Sequence, residues 1–217
     1  MRLLIRLLIP VVSLICITGC LSLWNKGSGE KTATPDELFS RADKLLKDKS
    51  YSEAIETLER LKSAHPDYSK IPEVYMKLGD AAYDQGSYEN ATSKYLQFIE
   101  LYPADKEVPR AKFNVAMCYF KQIKGTDLDS RAINLALDAF KLVAGDPNGG
   151  EWTKKAEEKI RECRQKLAAK EFYKAKTYIS VSNYKAARLV AQRILDEYPD
   201  MGFDEQAKKL LKTLKDK

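Results

Sequence analysis

From Pro35 onward, apolar residues recur at helical spacing along nearly the whole chain. Leu38, Ala42, Leu45 and Leu46 mark one face of a first segment, and Ala54, Leu58 and Leu61 mark the next. Tyr75, Leu78, Gly79 and Ala82 repeat the pattern, followed by Ala91, Tyr95 and Phe98. Such spacing predicts amphipathic helices, and no window alternates apolar and polar residues as a half-buried strand would. Polar or glycine-containing turns separate the segments at Lys49-Ser50 and Gln85-Gly86-Ser87. Pro66 and Pro103 close the second helix of each pair, because proline cannot continue the hydrogen-bond ladder. A third pair is predicted over Pro109 to Lys124 and Ser130 to Ala144, with an expanded turn at Gly125 to Asp129. A long helix from Trp152 to about Tyr178 pairs with Tyr184 to Tyr198, and a last helix runs from Phe203 to Leu214.

The second helices are copies of one another. Tyr51, Tyr88 and Tyr184 each stand fifteen residues before a proline, with Ala54, Ala91 and Ala187 three residues after the tyrosine. Self-similarity at a fixed period means a repeat array, in which each unit buries its apolar face only against its neighbours. The Leu78-Gly79, Tyr95, Phe98 and Pro103 pattern resembles the tetratricopeptide repeat, with a slightly long step of 37 from Pro66 to Pro103. The expected fold is all-α: a tetratricopeptide-repeat-like α-solenoid of about four helix pairs plus a C-terminal capping helix. Small residues at Gly79 and Ala91 are expected to let paired helices approach closely.

The N-terminus changes the picture. Arg2 and Arg6 precede an apolar run, Leu7 to Ile17, and then Thr18-Gly19-Cys20. Positive residues, a short apolar core and small residues before a cleavage point make a secretory signal, and the run is about half the roughly 20 residues a spanning helix needs. Cysteine directly after Thr-Gly resembles the lipobox of bacterial lipoproteins, which implies removal of residues 1–19 and a covalent diacylglycerol and N-acyl chain on Cys20. An ordinary secreted protein with a chance cysteine is the competing reading. In lipoproteins of this type an Asp after the cysteine is a retention signal for the inner membrane; Leu21 stands there, which favours the outer membrane, facing the periplasm. Residues 20–34, rich in Gly, Ser, Thr and Lys, read as a flexible tether, and residues 35–217 as the repeat domain. Loss of Arg2 and Arg6 takes the formal charge from +6 to +4, spread among many acids, which does not suit nucleic acid. Of the cysteines left after Cys20, Cys118 and Cys163 sit inside amphipathic segments and are expected as two buried thiols, although a periplasmic compartment would permit a bridge.

Chemistry is sparse. The single histidine, His65, lies in a turn before Pro66, and no cysteine or histidine cluster offers a metal site. No glycine-rich phosphate loop or nucleophile elbow is present, so neither an enzyme nor a cofactor is expected. Repeats of this kind bind peptides in the groove made by their first helices. Counted from Pro35, Pro72 and Pro109 as position 1, the groove positions 5, 9 and 12 fall on Phe39, Asp43 and Leu46; on Met76, Asp80 and Tyr83; and on Phe113, Met117 and Phe120. That apolar and aromatic stripe suits an extended segment with aromatic side chains. The competing reading packs the same residues between repeats or under the tether.

Two stretches are more specific than generic repeats: DLDSRAINLALDAFKLV at 127–143, followed by Asp146-Pro147-Asn148, and LAAKEFYKAKTY at 167–178, continuing through Tyr184 to Tyr198-Pro199-Asp200. With the lipobox they closely resemble the BamD family, lipoprotein subunits of the outer-membrane β-barrel assembly machine, over nearly all of the mature chain. The resemblance implies a scaffold that holds the periplasmic domains of the barrel-forming subunit. It also implies recruitment of unfolded β-barrel precursors, whose aromatic C-terminal strand would be read by the N-terminal repeats. The family arginine that pairs with an acid on the barrel subunit falls at Val190, flanked by Arg188 and Arg193 as substitutes. Relatives carry one more helix after the last one here, which implies a smaller C-terminal contact. The alternative is a repeat lipoprotein that scaffolds cell-envelope or peptidoglycan synthesis proteins.

Overall fold

The computed structural model describes residues 33–123 and 130–215. Its helices, in chain order, are α1 (Pro35–Lys47), α2 (Tyr51–Ala64), α3 (Ile71–Asp84), α4 (Tyr88–Leu101), α5 (Val108–Lys121), α6 (Arg131–Ala144), α7 (Glu151–Ser180), α8 (Tyr184–Glu197) and α9 (Asp204–Thr213). Each packs chiefly on the helix before and the helix after it, and α5 also touches α7. Among the described residues this is the expected stack of four helix pairs with one helix beyond them. Three apolar clusters follow one another along the stack, centred on Leu58 and Val74, on Tyr95 and Phe98, and on Phe140 and Cys163.

Local chemistry explains where helices start and stop. Thr34 accepts a hydrogen bond from the Glu37 amide while Glu37 accepts one from Thr34, a capping box ahead of Pro35. Three first helices end alike. Ser50 N donates to Leu45 O, Ser87 N to Ala82 O and Asn183 N to Tyr178 O, at 2.8, 2.9 and 2.9 Å. The residue before each, Lys49, Gly86 or Ser182, has a positive φ of 58°, 84° or 59°. These are Schellman ends, which turn the chain back in two residues and set each second helix antiparallel to its first. The repeat alanines Ala54, Ala91 and Ala187 are fully buried.

Close approach within the second pair is set by Gly79. A Cβ added there would stand 2.5 Å from Cε1 of Tyr95, whose ring is buried over it. The Tyr95 hydroxyl is tied to Asp80 at 2.7 Å, so the ring cannot retreat cheaply. Gly79→Ala is therefore expected to destabilise by about 1–3 kcal/mol, the usual range for overpacking, despite the better helix propensity of alanine. Thermal melting followed by circular dichroism measures it.

Candidate peptide-binding face

The repeat places equivalent residues at equivalent depths. At position 5, Phe39, Met76 and Phe113 are buried, with 7, 2 and 8% of their surface exposed. They belong to the core rather than to an open stripe, because the start of the next repeat's first helix covers each one. Phe39 meets Tyr68 edge-on at 6.0 Å and lies under Lys70. Met76 shares its cluster with Val108, and Phe113 packs on Trp152 at 5.1 Å and on Phe140 at 5.5 Å. Positions 9 and 12 point more outward: Asp43, Leu46, Asp80, Tyr83, Met117 and Phe120 are all half-buried. Phe113, Met117 and Phe120 come together in one cluster around Phe140, Met76 and Tyr83 belong to the middle one, and Phe39 to the first.

The two acids of the stripe are already paired. Asp43 lies 2.8 Å from Lys77, which also reaches Glu73 at 3.3 Å. Burial, the largest single influence, would lower the Lys77 ammonium, but the hydrogen bonds and charges of Asp43 and Glu73 together outweigh it and the net shift is upward. Asp80 accepts from Tyr95 Oη at 2.7 Å, from Arg110 Nη1 at 3.1 Å and from Asn114 Nδ2 at 3.4 Å, and Arg110 Nε donates to Glu107 at 2.7 Å. Burial, then the nearby Asp80 charge, drives the Tyr95 phenol far above its usual range. This network was not read from the sequence; the signal for it is the recurrence of polar side chains 34 residues apart, as in Asp43 and Lys77 or Asp80 and Asn114.

A cleft of about 440 Å³ opens between the N-terminal ends of α3 and α5. Met76 and Phe98 form its apolar floor, Pro72 one wall, and Lys70, Glu73, Glu107 and Arg110 its charged rim. Further along α3, Tyr83 meets Tyr88 edge-on at 5.4 Å, and burial pushes its phenol up to about 12. On α5, Phe120 lies edge-on to Phe140 at 6.2 Å, with the ammonium groups of Lys159 and Lys166 above its ring at 5.1 and 5.7 Å. The face thus offers an apolar floor, half-buried aromatic rings and a polar rim, the elements that hold an extended peptide.

The arginines expected at a complex contact are engaged within the chain. Arg188 Nη1 donates to the carbonyls of Leu214 and Lys215 at 3.2 and 3.3 Å, closing the end of α9. Arg193 pairs with Glu171 at 3.3 Å and Glu197 at 3.8 Å, and Val190 between them is a core residue, 4% exposed. Cys118 and Cys163 are free and buried in different clusters, and burial raises each thiol to about 11. Cys20 and all but the end of the tether lie outside the described residues. Among the described residues no helix is long and apolar enough to cross a membrane.

Comparison with known proteins gives the face its setting. The chain is 26% identical over 188 residues to an outer membrane protein assembly factor BamD of Rickettsia prowazekii, covering 87% of this chain and 74% of that one. It is 26% identical over 212 residues to the assembly factor BamD of Caulobacter vibrioides, covering 89% and 69%. A third, from Xylella fastidiosa, is 22% identical over 207 residues, covering 91% and 70%. Among solved structures, the TPR2AB domain of yeast Sti1 in its pHSP90 complex superposes with a TM-score of 0.50 at 16% identity, over 83% of this chain and 69% of that one. That likeness establishes the tetratricopeptide-type fold. The family model for YfiO, outer membrane lipoproteins, matches residues 31–217, and the chain belongs to that family.

Proposed function

We propose that the chain is a non-enzymatic outer-membrane lipoprotein that scaffolds the assembly of β-barrel proteins, anchored through acylated Cys20 and facing the periplasm. Its partners are the barrel-forming subunit of the assembly machine, held through that subunit's periplasmic domains, and unfolded β-barrel precursors. The observation that carries the reading is the family match over nearly all of the repeat domain, joined to relatives named as assembly factors. The cell-wall scaffold has no comparable support.

The cleft between α3 and α5 is the proposed seat for a precursor's aromatic C-terminal segment. Met76 and Phe98 would receive an apolar side chain, and the half-buried rings of Tyr83 and Phe120 would extend the contact. Losing one aromatic hot-spot contact costs about 2 kcal/mol, roughly thirtyfold in affinity. Tyr83→Ala is accordingly expected to weaken binding of a labelled precursor C-terminal peptide by about that factor in fluorescence anisotropy, with the melting curve little changed. Equal affinity for Tyr83→Ala, Phe120→Ala and the parent protein would return these residues to a packing role.

Anchorage has its own test. With Cys20→Ala, the acyl acceptor is gone, and the chain is expected to remain unprocessed and unlipidated. A variant that is still cleaved and still sediments with outer membrane would overturn the anchor.

A further inference from the structure

Arg110 stands on the rim of the cleft between α3 and α5 and is held at two of its three nitrogens. Its Nε donates to Glu107 at 2.7 Å, and its Nη1 donates to the two oxygens of Asp80 at 3.1 and 3.3 Å. Asp80 is fixed in turn by Tyr95 Oη at 2.7 Å and Asn114 Nδ2 at 3.4 Å. The planar guanidinium therefore keeps one orientation, and the rotamer freedom of a long side chain is lost before any ligand arrives. Its Nη2 has no acceptor among the described residues. The side chain is 29% exposed and lines the cleft, so it presents a fixed, uncommitted donor beside the apolar floor of Met76 and Phe98.

Charge decides which acceptor suits that donor. Asp80 and Glu107 share this one guanidinium, which offsets its positive charge and leaves an acid in excess. Glu73 and Asp105 add further acids to the cleft wall. Of the other rim cations, Lys70 lies over the rings of Phe39 and Tyr68 at 4.8 and 5.9 Å. Lys106 is exposed to water, where a charge pair contributes little. A ligand carboxylate at Nη2 would be repelled by Asp80 and Glu107 at short range. A neutral carbonyl oxygen is not repelled and needs only the donor. Every residue of an extended segment supplies one on its backbone, and in such recognition main-chain hydrogen bonds give affinity while pockets for side chains give selectivity.

We infer that Arg110 positions a bound segment by donating from Nη2 to a main-chain carbonyl beside the apolar residue seated on Met76 and Phe98. The cleft thus reads an extended backbone and an apolar side chain, and not the terminal carboxylate of a chain end. This rests on the reading of the cleft as the seat of a precursor segment, and it adds the contact that sets the segment's register.

The test uses the full-length chain in detergent and fluorescence anisotropy with fluorescein-labelled peptides of alternating phenylalanine and threonine. One form has a free C-terminal carboxylate, one a C-terminal amide, and a series replaces one backbone amide at a time by an ester, whose carbonyl is a weaker acceptor. The acid and amide forms are expected to bind within about twofold of each other. Arg110→Lys, which keeps a charge for Asp80 and Glu107 but loses the fork, should weaken the parent peptide roughly tenfold, the worth of a hydrogen bond to a charged group. The one ester that weakens binding to the parent protein should cost nothing further in Arg110→Lys. Should Arg110→Lys melt early, Glu107→Gln carries the test: with one compensating acid removed, the acid form should gain several-fold over the amide form. A roughly tenfold preference of the parent protein for the acid form, or an ester series that reads alike in Arg110→Lys and parent, overturns the main-chain contact. If Tyr83→Ala weakens binding and Arg110→Lys does not, this contact fails and the seat stands. If neither variant weakens it, the peptide lies elsewhere and both are overturned.

Discussion

Ala91→Glu is expected to lower the thermal midpoint by roughly 10 °C, the effect of about 3–5 kcal/mol on a domain of this size. Ala91 is fully buried on α4, in the cluster that holds Tyr95 and Phe98. It sits where α4 crosses α3, beside the contact that Gly79 makes with the Tyr95 ring. A glutamate there has neither room nor a cation, and moving the helices apart would break the Tyr95 hydrogen bond to Asp80 as well. Because a repeat array need not melt as one unit, the early loss should be confined to the second pair and its neighbours. Circular dichroism gives the midpoint, and amide exchange shows which helices open first. An unchanged midpoint would mean that position 91 tolerates solvent and that the packing described for the second pair is wrong.

Asp80→Ala is expected to cost about 2–3 kcal/mol, chiefly by orphaning buried donors. Three side chains converge on this carboxylate from α4 and α5, and the Tyr95 hydroxyl has no water to turn to. Arg110 keeps Glu107 and is less harmed. The control is Asp80→Asn, whose amide oxygen still accepts from Tyr95. It should recover at least half of the loss, since a hydrogen bond and not a net charge holds the ring in place. Equal destabilisation by alanine and asparagine would shift the weight to the Arg110 ion pair.

The helices were legible because their signals are local. Prolines and tyrosines fix the second helices, and the long helix expected from Trp152 to about Tyr178 runs from Glu151 to Ser180. The first helix of the third pair is expected over Pro109 to Lys124; it spans Val108–Lys121, ending at Gln122 in an ordinary turn. The depth of the groove positions was not legible. Positions 5, 9 and 12 share a stripe on any helical projection, yet Phe39, Met76 and Phe113 are covered by the next repeat's first turn. That cover is a tertiary contact between residues some 30 to 40 apart, and no periodicity within one helix encodes it. The same holds for Arg188. The family resemblance offered it as a stand-in for a contact arginine, and within the chain it closes α9, 26 residues further along.

The proposed role as a scaffold of β-barrel assembly requires a physical association with a barrel protein. Affinity purification of the tagged full-length protein from detergent-solubilised membranes, with the co-purifying chains identified by mass spectrometry, tests it most directly. A scaffold of barrel assembly should bring down a near-stoichiometric large barrel protein that carries periplasmic domains. Recovery of peptidoglycan-synthesis proteins without such a barrel would contradict it.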